Sequence, residues 1–325
     1  MIEVLNPFAA PDTSDAELEI LLWDPHWFPD SYNDPLVALT PNGARIVTRF
    51  STDRSRAAEA DAIWVHPPTM RQLPPKSDDQ PWVLCSMEAD HNYPFQASLA
   101  ADALFDITMT YHRGSDVPTP YANRAQYDGF ARTRSRPHRA DAIASFIASN
   151  PVPERDDYVT ELMHFVPIAA FGACLRNRDF DEIVGTGLDR GQAAEMVIAS
   201  YGFSLAFENC LADEYVTEKL YRPLAMGTIP VYWGAPDLDG LVPDRTSVIE
   251  VIDEEPEELA NLLVERASDT EWLETTLDWP NRPAHPAFDR LLDVTDVDPR
   301  ARLATKIAHG CDSSCRCGGR LDPVS

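Results

Sequence analysis

Hydrophobic runs bounded by polar residues and prolines predict a series of short strands in the first part of the chain. Apolar residues that alternate with polar ones, or form a short run, are typical of β-strands with one or both faces buried. The connections between the runs are rich in proline and polar residues, which argues against helix there. We therefore predict a first α/β unit, with strands at 18–23, 45–50, 62–66, 82–87 and 105–111.

A second set of predicted elements, with strands and helical stretches in alternation, occupies residues 144–271. Within it, residues 203–207 predict a strand that runs directly into Glu208 and Asn209, and a helix is predicted to begin near Tyr215. In open α/β sheets, ligands bind beyond the carboxyl ends of the strands, where helix N-termini also point. We therefore expect these polar groups to face a crevice.

One lysine near the start of that helix suggests what the crevice binds. The chain has 24 arginines and only three lysines, and Lys219 falls in the first turns of the helix. A cation at a helix start costs free energy unless an anion is bound nearby. We expect Asn209, Tyr215, Glu218 and Lys219 to converge, with Lys219 on a phosphate and Glu218 on sugar hydroxyls. The alternative is an ordinary βαβ unit whose Glu218 and Lys219 are solvated charges.

Arg155 is a second candidate for binding phosphate. It follows a proline-rich turn at 150–153 and precedes a helical pattern, so it is expected at another helix start. The guanidinium fork is suited to gripping a diphosphate. An ion pair with Asp156 or Asp157 is the alternative.

Glu88 is the candidate for proton transfer. The apolar run at 82–87 predicts a buried strand that presents this carboxylate at its carboxyl end. A glutamate in that position can take the proton from an attacking hydroxyl. The alternative is a satisfied carboxylate at a strand end.

The segments FEN, EYVTEK and PVYWGAP, within residues 201–236, resemble the donor-site signature of the α1,3-fucosyltransferases, glycosyltransferase family 10. The similarity extends over roughly 82–280. The resemblance implies an α/β fold of GT-B type, with two Rossmann-like domains facing a cleft. It also implies inverting transfer of fucose from GDP-fucose to a glycan or glycoprotein hydroxyl, with α1,3 linkage expected. Another nucleotide sugar, or binding of a GDP-sugar without catalysis, remains an alternative.

The resemblance also assigns roles to individual residues. Glu88 is then the general base, and Arg155 and Lys219 neutralise the leaving diphosphate. The sugar nucleotide is bound by Asn209, Tyr215 and Glu218. Because side chains can stabilise that charge, no obligatory metal is expected, while stimulation by Mn²⁺ or Mg²⁺, as in some members of the family, stays open.

The expected domains are an acceptor-side Rossmann-like domain at 1–140, a GDP-fucose-binding domain at 141–300 and a tail at 301–325. The length of 325 residues favours two domains over one. Cys311, Cys315 and Cys317 in the tail are expected to form a disulfide under oxidising conditions and to stay free thiols otherwise.

Net charge restricts the partners. The chain carries 27 basic and 53 acidic residues, a formal charge of −26, which opposes binding to nucleic acid and to anionic membranes. A pocket for an anionic nucleotide sugar must therefore concentrate positive charge locally. The opening residues show no apolar run long enough for a signal or anchor, which predicts a cytoplasmic enzyme, or a Golgi membrane protein if the sequence is truncated.

Overall fold

The computed structural model describes residues 2–25, 32–75, 77, 79–96, 104–127 and 139–310. The strands are β1 (Ile2–Leu5), β2 (Ala16–Trp23), β3 (Leu36–Leu39), β4 (Arg45–Ser51), β5 (Ala62–Val65), β6 (Trp82–Ser86), β7 (Ile107–Thr110), β8 (Ala144–Ala148), β9 (Ile168–Gly172), β10 (Phe203–Phe207), β11 (Ile229–Trp233) and β12 (Ile249–Glu250). The principal helices are α1 (Pro153–Phe165), α2 (Phe180–Val184), α3 (Arg190–Ile198), α4 (Glu218–Met226), α5 (Pro256–Ser268), α6 (Thr270–Leu277), α7 (Pro286–Thr295) and α8 (Pro299–His309).

The contacts group these elements into two compact units. The first unit contains the described residues up to Pro120 together with those from Arg290 onward, and the second is Tyr121–Asp289. These boundaries differ from those expected from the sequence, 1–140, 141–300 and 301–325. The difference has a physical cause in α8, because Ala301, Leu303 and Ala304 are buried in the core of the first unit.

The first unit is built on a seven-stranded sheet with the order β1-β3-β4-β2-β5-β6-β7. Neighbouring strands are parallel except for the antiparallel pair β3 and β4. Both faces of β2 are buried, because Ile20 and Leu22 join the core that includes α8 while Leu21 and Trp23 join the core on the opposite face. This burial explains the continuous apolar run in the sequence, as expected for a parallel strand covered on both sides.

The second unit is an open parallel sheet with the order β12-β11-β10-β8-β9. Val159 and Leu162 of α1 pack with Leu259 and Leu263 of α5 in one core against the strands. A smaller core contains Val197 of α3 and strand β9. Helices α3 and α4 pack against each other, and α4 also packs on β10 and β11. The chain therefore forms a doubly wound α/β unit in which β8 is the strand where the order reverses.

The expectation of an α/β fold is confirmed, and all five strands predicted for the first unit are present. Strands β1 and β3, of four residues each, were not predicted. The helix expected to begin near Tyr215 begins instead at Glu218. The reason is that Glu214 has a left-handed φ of 59°, and the Thr217 side chain accepts a hydrogen bond from the Lys219 N–H as a helix cap.

Two segments singled out in the sequence lie wholly or largely outside the described residues. The basic segment 132–139 lies outside the described residues except for Arg139, and the tail cysteines Cys311, Cys315 and Cys317 lie outside them as well. Among the helices that the structure describes, none is long and apolar enough to span a membrane.

Candidate active site

A pocket of about 430 Å³ lies in the second unit, at the point where its strand order reverses. It is lined by residues at and just after the carboxyl end of β8 and by Asn209, two positions beyond the end of β10. Helices α3 and α4 contribute the remaining sides through Arg190, Gly191, Ala194, Ile198, Glu218, Lys219 and Arg222. In open α/β sheets this switch point is where ligands bind, so the pocket is the candidate ligand site of the unit.

Three of the predicted donor-site residues line this pocket together. They are Asn209, Glu218 and Lys219. Asn209 lies in the loop that follows β10, while the other two are the first residues of α4. Three of the four side chains expected to converge therefore share one crevice.

Lys219 has an anionic partner within the protein itself. Its Nζ lies 3.3 Å from Oε2 of Glu208, and the Glu208 side chain is fully buried. The Glu208 carboxylate also accepts hydrogen bonds from the Thr217 N–H at 2.7 Å and the Thr217 hydroxyl at 2.8 Å. The anion that offsets a cation at this helix start is therefore Glu208, which the sequence interpretation had placed in the crevice without naming it as the partner of Lys219.

Burial governs the protonation of Glu208. Burial raises the pKa of this carboxyl above its ordinary value, and the Lys219 ammonium and the two Thr217 hydrogen bonds oppose that rise. Because Glu208 takes part in these contacts, it fixes the start of α4 and the position of the Lys219 ammonium at the pocket wall.

Arg155 is placed differently from the pocket-lining residues. Its side chain is completely buried, and it does not line the pocket. The guanidinium donates to Asp156 Oδ1, to the Asn150 carbonyl at 2.7 Å and to Asn209 Oδ1 at 2.9 Å. The ion pair with Asp156 is present, and the contact with Asn209 fixes the orientation of a side chain that does line the pocket.

Tyr215 is also buried and does not line the pocket. Its ring packs edge-on against Tyr121 with centroids 6.3 Å apart, and its carbonyl accepts a hydrogen bond from the Tyr232 hydroxyl at 3.3 Å. The same hydroxyl accepts from the Ala235 N–H at 2.8 Å. The Tyr232 hydroxyl thereby hydrogen-bonds both the turn after β11 and the loop before α4.

Gly234 is required in that turn by a close approach. A Cβ atom at this position would lie 2.2 Å from the Tyr232 hydroxyl and 2.6 Å from Cγ of Glu208. Both neighbouring side chains are buried and hydrogen-bonded, so neither can move aside easily. The turn at Trp233-Gly234-Ala235-Pro236 therefore packs directly on the side chain of Glu208, which positions Lys219.

Glu88 lies in the first unit, two residues beyond β6. It lines a pocket of about 230 Å³ whose other walls are mostly apolar: Leu22, Trp23, Pro25, Tyr32, Trp64, His66, Cys85 and Met87. Its backbone N–H donates to Ser86 Oγ at 3.1 Å, and its carbonyl accepts from Gln96 at 3.2 Å. Within the described ranges no residue forms a hydrogen bond or an ion pair with its carboxylate, so the carboxylate is available to contact a ligand.

Two further cationic residues line the pocket of the second unit, and the sequence interpretation missed both. Arg190 is the first residue of α3, and Arg222 lies in the second turn of α4. Arg222 could have been found from the sequence, since residues three and four positions apart share a helix face and it follows Glu218 and Lys219 at that spacing. No comparable signal links Arg190 to the site, because it enters from a helix almost thirty positions earlier.

Cys85 and Cys174 are free thiols. In the part of the chain that the structure describes, no group of three or more His, Cys, Asp or Glu side chains is arranged to hold a metal ion.

Family models match most of the chain. The model described as "Glycosyltransferase family 10 (fucosyltransferase) C-term" matches residues 136–300, which is about half of the 325 residues. A second, "Fucosyltransferase, N-terminal", matches residues 15–122. The first match contains the entire pocket of the second unit, and the second contains Glu88.

Curated relatives agree with the family models. GDP-fucose protein O-fucosyltransferase 3 of Canis lupus familiaris is 32% identical over 217 residues, which cover 63% of this chain and 45% of the relative. Alpha-(1,3)-fucosyltransferase B of Drosophila melanogaster is 33% identical over 204 residues, covering 58% of this chain and 46% of the relative. The chain thus spans about half the length of the curated relatives it matches.

A solved structure of an alpha1,3-fucosyltransferase with GDP-fucose resembles most of the chain. The likeness has a TM-score of 0.55 at 17% sequence identity and covers 88% of this chain and 91% of that one. At this identity the likeness establishes the fold, which is of the GT-B type expected from the sequence.

Proposed function

The chain belongs to glycosyltransferase family 10, the fucosyltransferases, and from this premise we propose that it transfers L-fucose from GDP-fucose to an acceptor hydroxyl. The observation that carries the proposal is the pocket at the switch point of the second unit. Cationic and hydrogen-bonding side chains line this pocket in a protein whose net charge is −26. A site that binds a diphosphate against such an overall charge needs local cations, and this pocket supplies them.

In the proposed reaction, the bond from C1 of fucose to the β-phosphate oxygen breaks and its electron pair stays on that oxygen. The acceptor oxygen forms the new bond to C1 from the opposite face, which inverts the configuration. The proton of the acceptor hydroxyl passes to the Glu88 carboxylate. The position of Glu88 supports this role, because its carboxylate lines a pocket and no described residue forms a hydrogen bond or ion pair with it.

The donor-site residues have distinct parts in the proposal. Lys219 contributes positive charge at the diphosphate, and Glu218 and Asn209 bind polar groups of the sugar nucleotide. Arg155 and Tyr215 take part in the donor site through contacts of the loop between β10 and α4. Arg155 hydrogen-bonds Asn209, and the Tyr215 carbonyl accepts a hydrogen bond from Tyr232. No metal ion is obligatory in this scheme, because cationic side chains can balance the leaving diphosphate. Stimulation by Mn²⁺ or Mg²⁺ and a cytoplasmic location stay predictions.

The acceptor is proposed to be a glycan or a protein-linked hydroxyl. The relatives named above include a protein O-fucosyltransferase and an α-(1,3)-fucosyltransferase, so both classes and an α1,3 linkage belong in the acceptor test.

The proposal is tested by incubating the protein with GDP-fucose and a panel of glycans and glycoproteins, followed by mass spectrometry. We expect one acceptor class to gain the mass of a single deoxyhexose. Glu88→Gln should abolish transfer and leave GDP-fucose binding unchanged, whereas the control Glu17→Gln, at an exposed position of β2, should transfer normally. Equal activity of wild type and Glu88→Gln would remove Glu88 from the mechanism. Binding of GDP-fucose with no transfer to any acceptor would favour a binding protein without catalysis.

A further inference from the structure

Two aromatic walls of the Glu88 pocket each have an arginine stacked on the ring, and neither arginine lines the pocket. The guanidinium carbon of Arg300 lies 4.4 Å from the centroid of the Tyr32 ring. The guanidinium carbon of Arg54 lies 4.3 Å from the centroid of the Trp23 ring. Both rings line the pocket together with Glu88. Because a cation is attracted to the face of an aromatic ring, the two arginines stabilise these walls from outside the pocket.

A carboxylate orients each of the two arginines. Arg300 donates from Nε to Oδ1 of Asp298 at 3.0 Å and from Nη2 to Oδ2 at 2.6 Å. Arg54 is paired with Asp24. A carboxylate binds the edge of the planar guanidinium, which leaves its face available for stacking on a ring. Each carboxylate therefore fixes the plane of the guanidinium that stacks on the pocket wall.

The same carboxylate sets the start of α8. Asp298 is the N-cap residue of this helix, and its side chain accepts a hydrogen bond from the Arg300 N–H at 2.8 Å. The backbone and the guanidinium of Arg300 are thus both bound to one side chain. The position of Arg300 relative to Tyr32 is therefore determined by the way α8 begins.

The two arginine–aromatic contacts differ in burial. The Arg300 side chain is 9% exposed, whereas the Arg54 side chain is 42% exposed. Arg300 also lies 5.9 Å from the centroid of the Phe50 ring. A cation over a ring contributes more where water is excluded, so the Arg300 contact is the stronger of the two.

Tyr32 belongs to a cluster of rings that includes a further wall of the pocket. Its centroid lies 5.2 Å from that of Phe50 and 6.1 Å from that of Trp64. Trp64 also lines the pocket. With a volume of about 230 Å³ the pocket leaves a bound group little room. A displaced Tyr32 ring would therefore change where that group lies relative to Glu88, and small displacements of reacting groups slow a reaction strongly.

We propose that Arg300 is a positioning residue for the acceptor, because it holds Tyr32 and thereby sets the shape of the pocket beside Glu88. Arg54 does the same for Trp23 to a smaller extent. The inference rests on the proposed function, since it takes the Glu88 pocket to receive the acceptor group that carries the reacting hydroxyl. Loss of Arg300 should therefore impair the use of the acceptor and leave the binding of GDP-fucose unchanged.

The kinetic test uses GDP-fucose and the glycan or glycoprotein that gains a deoxyhexose in the transfer assay. Arg300→Met should raise the KM for that acceptor about five- to thirtyfold, as expected for the loss of a buried cation over a ring, with the KM for GDP-fucose unchanged. Arg300→Lys should recover part of the loss, because it keeps a cation near the ring without the fork. Arg54→Gln should give a smaller rise, since Arg54 is more exposed. The pH dependence of transfer should keep its wild-type form, because Glu88 is unchanged.

Arg302→Met is the matched control. Arg302 lies on the same helix and is buried to a similar extent as Arg300. Its Nε donates to the Val297 carbonyl at 3.3 Å, and among the described residues it stacks on no aromatic ring. The control variant should therefore keep the wild-type KM for the acceptor. Urea unfolding of both variants measures any loss of stability separately.

Crystal structures of wild type, Arg300→Met and Arg302→Met test the contact without an acceptor. We expect the Tyr32 ring to be displaced in Arg300→Met and to keep its place in Arg302→Met. An acceptor KM that is equal in wild type and Arg300→Met would overturn the inference. So would an equal rise in Arg302→Met, or a parallel rise in the KM for GDP-fucose, because either would show a general effect on the fold.

The outcomes also separate this inference from the proposed function. Absence of transfer to every acceptor by the folded wild type would overturn the proposed function. The crystal structures would then decide on the pocket wall alone, since a displaced Tyr32 ring in Arg300→Met would support the arginine assignment and an unmoved ring would overturn it. If Arg300→Met does not fold, Arg300→Lys and Arg54→Gln provide the same comparison.

Discussion

Replacing Arg155 with methionine should destabilise the protein far more than replacing an arginine in an exposed ion pair. Arg155 is completely buried, and its partner Asp156 keeps only 17% of its side chain exposed. The substitution would remove the guanidinium that donates hydrogen bonds to the Asp156 carboxylate, the Asn150 carbonyl and the Asn209 side chain. Removing one partner of a buried ion pair costs about 3–5 kcal/mol. Because some water reaches Asp156, we expect a loss near 3 kcal/mol, which is a large part of a typical stability of roughly 5–15 kcal/mol.

Urea unfolding followed by circular dichroism measures this loss. With a slope of about 2 kcal/mol per M of urea, a 3 kcal/mol loss lowers the unfolding midpoint by roughly 1.5 M. The matched control is Arg139→Met, because Arg139 pairs with Asp141 in two hydrogen bonds at 2.9 Å while 41% of its side chain is exposed. An exposed pair contributes at most about 1 kcal/mol, so the control should shift the midpoint by roughly 0.5 M or less.

A double variant separates the cost of leaving the Asp156 carboxylate unpaired from the cost of losing the packing of the Arg155 side chain. In Arg155→Met combined with Asp156→Asn, no carboxylate is left unpaired, so the combined loss should be smaller than the sum of the two single losses. A midpoint for Arg155→Met that is no lower than that of Arg139→Met would refute the reasoning. It would mean that the buried contacts of Arg155 are not an important part of the stability of the second unit.

Three further predictions concern the start of α4. Lys219→Ala should weaken GDP binding by about 1.5–3 kcal/mol, measured by calorimetry, and unchanged affinity would leave Lys219 as a helix charge paired with Glu208. Burial raises the pKa of Glu208 in the folded protein above its ordinary value of 4.5. The protonated carboxyl group therefore stabilises the folded state below pH 4.5, and this stabilisation declines as pH rises through the higher pKa of the folded state. The stability of wild type relative to Glu208→Gln should therefore fall as pH rises through that range in urea unfolding, and a difference independent of pH would contradict the assignment. Gly234→Ala should lose about 1–3 kcal/mol of stability, because its Cβ would overlap the Tyr232 hydroxyl, and a thermal midpoint equal to that of wild type would show that the turn can relax.

The sequence predicted most of the strands because burial on both faces leaves a direct trace in it. The runs that became β2, β5 and β6 are apolar at successive positions, as strands covered on both sides must be. No local sequence pattern marks the boundaries between the two units. Helix α8 returns to the first unit because its buried residues match that core, a long-range contact that no local pattern encodes.

The candidate site was predictable where its residues are close together in the chain. Asn209, Glu218 and Lys219 lie within one strand-loop-helix segment, so the topology of a parallel sheet brings them together. The partner of Lys219 could not be derived, because the burial of Glu208 depends on the turn at Gly234. Arg190 was missed because its place in the pocket depends on how α3 packs against α4.

The central claim is that the pocket of the second unit binds GDP-fucose. The most direct measurement is the thermal unfolding midpoint of the protein in the presence of GDP-fucose and, separately, of UDP- and ADP-sugars. A ligand that binds only the folded protein stabilises it by roughly 2.7 kcal/mol at one hundred times its dissociation constant. The account predicts that GDP-fucose raises the midpoint and that the UDP- and ADP-sugars do not. A rise with a UDP- or ADP-sugar and none with GDP-fucose would contradict it.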